Sequence, residues 1–87
     1  MSAQSISMRI RAFLIEHFPS ARGHALGEDD HLLANGILDS LGVLDLVGYL
    51  EREFGITVSD DDLLPEHFET LRRLTAFVED RQSVGSR

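Results

Sequence analysis

Apolar residues recur at helical spacing in three stretches of this 87-residue chain. In the first, Ile6, Ile10, Phe13, Leu14 and Phe18 share a face, with Met8, Ala12 and Ile15 widening the stripe. The spacing predicts a helix over about 6–18. Ser5 or Ser7 is placed to cap it. Pro19 stops it, because the residue before a proline avoids the α region. The second and best-defined stretch is 40–54. There Leu41, Leu44, Val47 and Leu50 share a face that Leu46 and Phe54 extend, and Gly55 comes next as a left-handed terminator. The third opens after Thr70, a capping residue, and predicts a helix over 71–82 with Leu71, Leu74, Phe77 and Val78 on one side.

Between these stretches the pattern weakens. Residues 19–38 contain Pro19, Gly23, Gly27 and Gly36 and read as a long loop, a feature that is uncommon in small domains unless functional. Leu26, Leu32, Leu33, Ile37 and Leu38 are available to pin it to a core, and Glu28-Asp29-Asp30 reads as a short helical turn. Ile56-Thr57-Val58 is too short for a sheet. Ser59-Asp60-Asp61-Asp62 resembles a capping sequence, and Pro65-Glu66-His67-Phe68 suits a one-turn helix with proline first. The expected fold is all-α: three main helices, one short helix and a long loop between helices one and two. It forms a single domain over 1–87, with an ordered core of about 6–82, frayed residues 1–4 and a loose tail at 83–87. Two glycines, Gly42 and Gly48, interrupt the second helix at about 1 kcal/mol each relative to alanine. Close backbone packing or the approach of a partner would offset that cost.

Composition narrows the function. A chain of this size buries only about 60–65% of its unfolded surface, so its core is modest. Without cysteine it has neither disulfides nor a thiol of its own. No apolar run is long enough to span a bilayer and no signal peptide opens the chain, so a soluble cytoplasmic protein is expected. The net charge of −7 is concentrated in the middle, where residues 24–70 hold twelve acids against one arginine. That field repels nucleic acid and attracts basic partners. His17, His24, His31 and His67 lack ligand spacing. Asp60-Asp61-Asp62 lacks the glycine and terminal glutamate of a calcium loop, so no metal site is expected.

The remaining chemistry converges on Gly36-Ile37-Leu38-Asp39-Ser40-Leu41. Ser40 falls where the long loop turns into a helix. A helix start exposes free N–H groups and the positive end of the dipole, so a phosphate ester on the Ser40 hydroxyl would be stabilised there. Asp39 or Ser40 also suits the ordinary role of N-cap, worth about 1 kcal/mol, and the two roles are compatible. No G-x-S-x-G elbow surrounds Ser40 and there is no glycine-rich phosphate loop, so the chain is not expected to be an enzyme.

Taken together, Leu32-Leu33, Gly36-Ile37-Leu38-Asp39-Ser40-Leu41 and Leu50-Glu51-Arg52-Glu53-Phe54-Gly55-Ile56 resemble the acyl carrier and peptidyl carrier protein family. The resemblance covers about residues 6–82 and implies a four-helix bundle with 4′-phosphopantetheine on Ser40, within the Asp39-Ser40-Leu41 motif. It implies that a phosphopantetheinyl transferase delivers this arm from coenzyme A. The arm's thiol would then hold an acyl or aminoacyl thioester for downstream acyl-transferring enzymes, and the carrier would act as a monomer. Carried over, Asp39, Leu41, Val43, Asp45 and Glu51 are partner contacts, and Leu44, Val47, Leu50 and Phe54 are core. Gly42, Gly48 and Arg52 stand where many fatty-acid carriers have an acid, a bulky apolar residue and another acid. Leu64-Pro65-Glu66-His67-Phe68-Glu69-Thr70 is similar to free-standing carriers loaded by AMP-forming acyl or aminoacyl ligases. A discrete, specialised carrier is therefore implied. The competing expectation is an unmodified acidic helical module that binds basic partner surfaces.

Overall fold

The structure is a computed structural model and describes residues 3–22 and 26–85. Its helices are α1 (Ala3–His17), α2 (Pro19–Arg22), α3 (Ser40–Phe54) and α4 (Leu71–Gly85), with 3₁₀ turns at Asp60–Asp62 and Pro65–Phe68. The described residues contain no strand. The fold is all-α, as the periodicity predicts.

α1 buries Ile6, Ile10 and Leu14 completely, the i, i+4, i+8 stripe of an amphipathic helix. It begins earlier than predicted. Ala3 and Gln4, expected to fray, are helical, and residues 1 and 2 lie outside the described residues. Ser7 is therefore not a cap; it lies within the helix and is buried. Pro19 ends α1 but also opens α2, an element absent from the sequence reading. Proline's fixed φ suits a first helical position as well as it blocks an interior one. Phe18 forms the joint: its N–H still reaches the Leu14 carbonyl at 2.9 Å, and its own carbonyl accepts from Ala21 at 2.9 Å.

α1 packs along α4. α4 contributes Leu71, Leu74, Phe77 and Val78, and α3 contributes Leu46, Leu50 and Phe54. Each such side chain, fully buried, is worth about 1.5–3 kcal/mol of transfer free energy. Thr70 Oγ1 accepts the N–H of Arg73 at 3.1 Å, the capping role expected of it. α4 continues to Gly85, so the loose tail predicted for 83–87 is helical over 83–85. No proline or other breaker intervenes before Gly85, and residues 86 and 87 lie outside the described residues.

The long loop is docked rather than free. Leu26, Leu32, Ile37 and Leu38 are buried and Leu33 packs against them. Leu32 N–H donates to the Glu69 carbonyl at 2.8 Å, and the Leu32 carbonyl accepts from Ile37 and Leu38 at 2.9 and 3.0 Å. The N–H of Arg72, in the first turn of α4, donates to the Glu28 carbonyl at 2.9 Å. Loop carbonyls thus satisfy a donor that the helix cannot satisfy itself. The Arg72 guanidinium grips the Asp29 carboxylate at 2.8 and 3.1 Å and holds it below the usual carboxylate range.

The return segment is clasped at Asp62. Its carboxylate accepts the N–H and hydroxyl of Ser59, both at 3.0 Å, and pairs with Arg81 of α4. The capping sequence read at Ser59–Asp62 is therefore present, but Asp62 is buried in an ion pair instead of belonging to a solvated run.

Candidate functional site

α3 begins at Ser40 because Asp39 caps it. Asp39 is extended (φ −123°, ψ −174°), and its carboxylate accepts the N–H of Gly42 at 2.7 Å. Its carbonyl takes the first helical bond, from Val43 at 2.9 Å. The capping role thus falls to Asp39, which leaves the Ser40 hydroxyl for other chemistry. Ser40 is exposed at the positive end of a 15-residue helix.

Beside Ser40 opens an apolar cleft of about 600 Å³. One wall is Val43 and Leu44 of α3, and Leu33 of the long loop contributes a second side. The opposite wall is Leu63, Leu64, Pro65 and Phe68. Among the described residues, Asp39 and Ser40 supply the only polar side chains that line it, and no histidine does. Phe68 is almost fully buried and roots its wall in the core, against Phe77 of α4. The cleft is not legible from the periodicity, because its lining comes from three separate segments. The one hint is Leu63-Leu64, an apolar pair after an acidic turn with no helix of its own to bury it.

The predicted partner contacts fall into different environments. Leu41 is 74% exposed and flanks Ser40. Asp39 and Asp45 are exposed, and Asp45 makes no ion pair among the described residues. Val43 is half-buried against the core. Glu51 is also half-buried, and its carboxylate accepts the N–H of Val58 at 2.9 Å, so it braces the chain after α3. Leu44, expected in the core, is 56% exposed. The inward face is instead Gly42, Leu46, Leu50 and Phe54, with Val47 half-buried beside it. Burying Gly42 turns the helix so that Leu41 and Leu44 point outward next to Ser40.

The arrangement is therefore an accessible hydroxyl at a helix start, an apolar cleft beside it and exposed leucines and acids around it. Among the described residues no histidine lines the cleft beside the serine. Among the described residues there is no cluster of three or more metal-type ligands, and no helix is long and apolar enough to cross a membrane. These features suit a phosphodiester-linked arm. The Ser40 oxygen is reachable from outside, and the helix start favours the phosphate charge. The cleft adds an apolar surface directly beside that oxygen. No curated protein gives a significant match to the chain. A family model described as phosphopantetheine attachment site matches residues 14–78, most of the chain.

Proposed function

The chain belongs to the phosphopantetheine-attachment family, whose members carry covalently bound 4′-phosphopantetheine, and we propose that Ser40 is the attachment residue and that residues 1–87 form one carrier domain. The observation that carries this reading is the exposed Ser40 hydroxyl at the start of α3, with capping left to Asp39. In the transfer, the Ser40 oxygen forms a new bond to the phosphorus of coenzyme A that bears the pantetheine arm. The pyrophosphate bond breaks, and 3′,5′-adenosine diphosphate leaves. The transferase supplies the base for the hydroxyl proton, a reading supported by the absence of histidine from the cleft lining among the described residues. The bound arm supplies a thiol, absent from the chain itself, on which an acyl or aminoacyl group is held as a thioester.

The chain's own residues position and present. Asp39 fixes the helix start, and Leu41 and Asp45 meet the partner, the acid facing a basic surface. Asp39 and Val43 contribute where the partner reaches the cleft, and Glu51 acts by bracing residues 55–58. We take the loading enzyme to be an AMP-forming acyl or aminoacyl ligase, as the run Leu64–Thr70 suggests, and the carrier to be a non-catalytic monomer in the cytoplasm. The test is intact mass after incubation with coenzyme A, Mg²⁺ and a broad-specificity phosphopantetheinyl transferase. The parent should gain one phosphopantetheine and Ser40→Ala none. Gain by the alanine variant would move the site elsewhere. No gain by a folded parent, with an active control carrier, would favour an unmodified acidic module that binds basic surfaces.

A further inference from the structure

The wall of the cleft that faces α3 belongs to a strap pinned at both ends. The upstream pin is Val58, whose N–H donates to the Glu51 carboxylate at 2.9 Å. The downstream pin is Glu69, whose carbonyl accepts the N–H of Leu32 at 2.8 Å. Between the pins the backbone hydrogen bonds are local: Asp62 to Ser59 at 3.0 Å, Leu63 to Asp60 at 3.2 Å and His67 to Leu64 at 3.0 Å. The polar contact that ties this stretch to another element is the pair of Asp62 with Arg81 of α4. Leu64, Pro65 and Glu66, just after it, are exposed. Phe68 is the buried root, its ring 6.4 Å from that of Phe77. Arg81 grips less completely than Arg72 grips Asp29. One guanidinium nitrogen meets Asp62, and Arg81 Nε is buried with no hydrogen-bond partner among the described residues. The Arg81 side chain is 34% exposed, so water reaches the contact. Its guanidinium lies 5.3 Å from the centroid of the Phe77 ring, which the His67 ring also meets, at 4.9 Å.

We propose that Asp62 and Arg81 are a latch that holds the wall of the Ser40 cleft shut, and that its release lets the strap from Ser59 to His67 swing out while the pins and Phe68 stay in place. Neither latch residue lines the cleft. Both act through Leu63, Leu64 and Pro65, the wall that the strap carries, and so are positioning residues. A segment with exposed side chains, internal hydrogen bonds and one charge pair opens at a lower free energy than the helices around it. A charge pair also suits a latch better than it suits a fastening. Well-packed apolar residues in its place would stabilise the fold as much or more, whereas a pair broken on one side leaves a buried charge that drives the segment towards water. The closed strap confines the cleft to about 600 Å³. With the strap open, Val43, Leu44 and Phe68 face an unwalled groove. The latch acts on the wall with or without an arm on Ser40.

The test is native-state hydrogen exchange and methyl relaxation dispersion by NMR on the full chain, as the parent, Arg81→Lys, Arg81→Gln and Ile10→Val. In the parent the Asp62, Leu63 and His67 amides should share one opening. They should exchange at least roughly tenfold faster than the Leu74 amide and the pinned amides of Val58 and Leu32. Arg81→Gln, which removes the charge, should speed the strap amides roughly tenfold, and Arg81→Lys, which keeps it, should stay near the parent. Ile10→Val, in the core of α1, should speed Leu74 but leave the strap amides unchanged, because their opening does not involve α1. In Arg81→Gln, dispersion should appear at the methyls of Leu63 and Leu64 and, across the cleft, of Val43 and Leu44, but not at Ile10. Strap amides no faster than Leu74 in the parent would overturn the proposal, a result that requires no variant to fold. Strap amides indifferent to Arg81→Gln, equal effects of Lys and Gln, or dispersion that extends to Ile10 would also overturn it and leave the pair a contributor to global stability alone. The mass gain at Ser40 judges the carrier reading separately.

Discussion

Gly42 lies under the ring of Phe18: a Cβ on Gly42 would stand 2.8 Å from Phe18 Cε1 and 3.2 Å from the capping carboxylate of Asp39. The joint between α1 and α2 thus presses on the first turn of α3, directly beneath Ser40. Alanine at this position gains about 1 kcal/mol of helix propensity, but it forces the ring and the cap to move. Overpacking of this kind costs about 1–3 kcal/mol. Gly42→Ala should therefore leave stability unchanged or lower it by up to about 2 kcal/mol in denaturant unfolding. Phe18→Leu in the same chain should recover part of the loss. A clear gain in stability from Gly42→Ala alone would show that the ring moves freely.

Gly48 is the opposite case. Its Cβ would meet only the end of a flexible arginine, at 3.7 Å. Gly48→Ala should stabilise the fold by about 1 kcal/mol, a rise of roughly 4–8 °C in Tm for a domain of this size. The two glycines interrupt the same helix, and the sequence offers the same pair of explanations, close packing or an approaching partner, for both. Only the structure separates a glycine held by packing from one that is free of it.

The same helix shows how far periodicity reaches. The bounds of α3, its Gly55 terminator at φ 66° and its buried Leu50 and Phe54 are consequences of the pattern. Its rotation is not, because apolar residues cover too wide an arc and glycine is not counted among them. The buried residues of the long loop were legible, since Leu32, Ile37 and Leu38 have no other reason to be apolar. The partners of its backbone, on Glu69 and Arg72, were not, because hydrogen bonds between distant segments leave no local signal. Ser40 was legible from its loop-to-helix setting. The apolar cleft beside it depends on Leu63, Leu64 and Pro65, whose place in space no local pattern records.

The rotation can be checked with two leucines. Leu46 is fully buried and Leu44 is 56% exposed. Leu46→Ala should cost about 2–5 kcal/mol, enough to unfold much of a domain this small. Leu44→Ala should stay within about 0.5 kcal/mol, as surface changes do. Chemical denaturation of the pair decides it, and comparable losses would return Leu44 to the core.

Docking of the long loop predicts its exchange behaviour. Leu32 N–H is buried and bonded to Glu69, and Arg72 N–H is bonded to Glu28. Opening either requires separating the loop from the start of α4. Their amides should exchange with deuterium about as slowly as the interior of α4, in contrast to exposed loop amides such as His31. Fast exchange at Leu32 would mean that the loop opens on its own.

Asp62 makes the fold sensitive to acid, and the direction is fixed by its contacts. The Ser59 N–H, the Ser59 hydroxyl, Arg81 and His67 all favour the carboxylate, against the opposing effect of burial, and hold its pKa below the ordinary 3.8. As pH falls, the unfolded chain therefore takes up this proton before the folded one does. The stabilisation is fully present above the unfolded value and is lost as pH drops through the folded one. Asp62→Asn should be less stable than the parent at pH 7, with the gap closing below pH 3.8. Asp29, held down by the exposed guanidinium of Arg72, adds a contribution of the same sign, but solvent and salt screen it. Urea unfolding of parent and variant from pH 7 to the acid range, at low and high salt, separates the two. A gap that persists undiminished in acid would mean that Asp62 acts through packing and that its charge is immaterial.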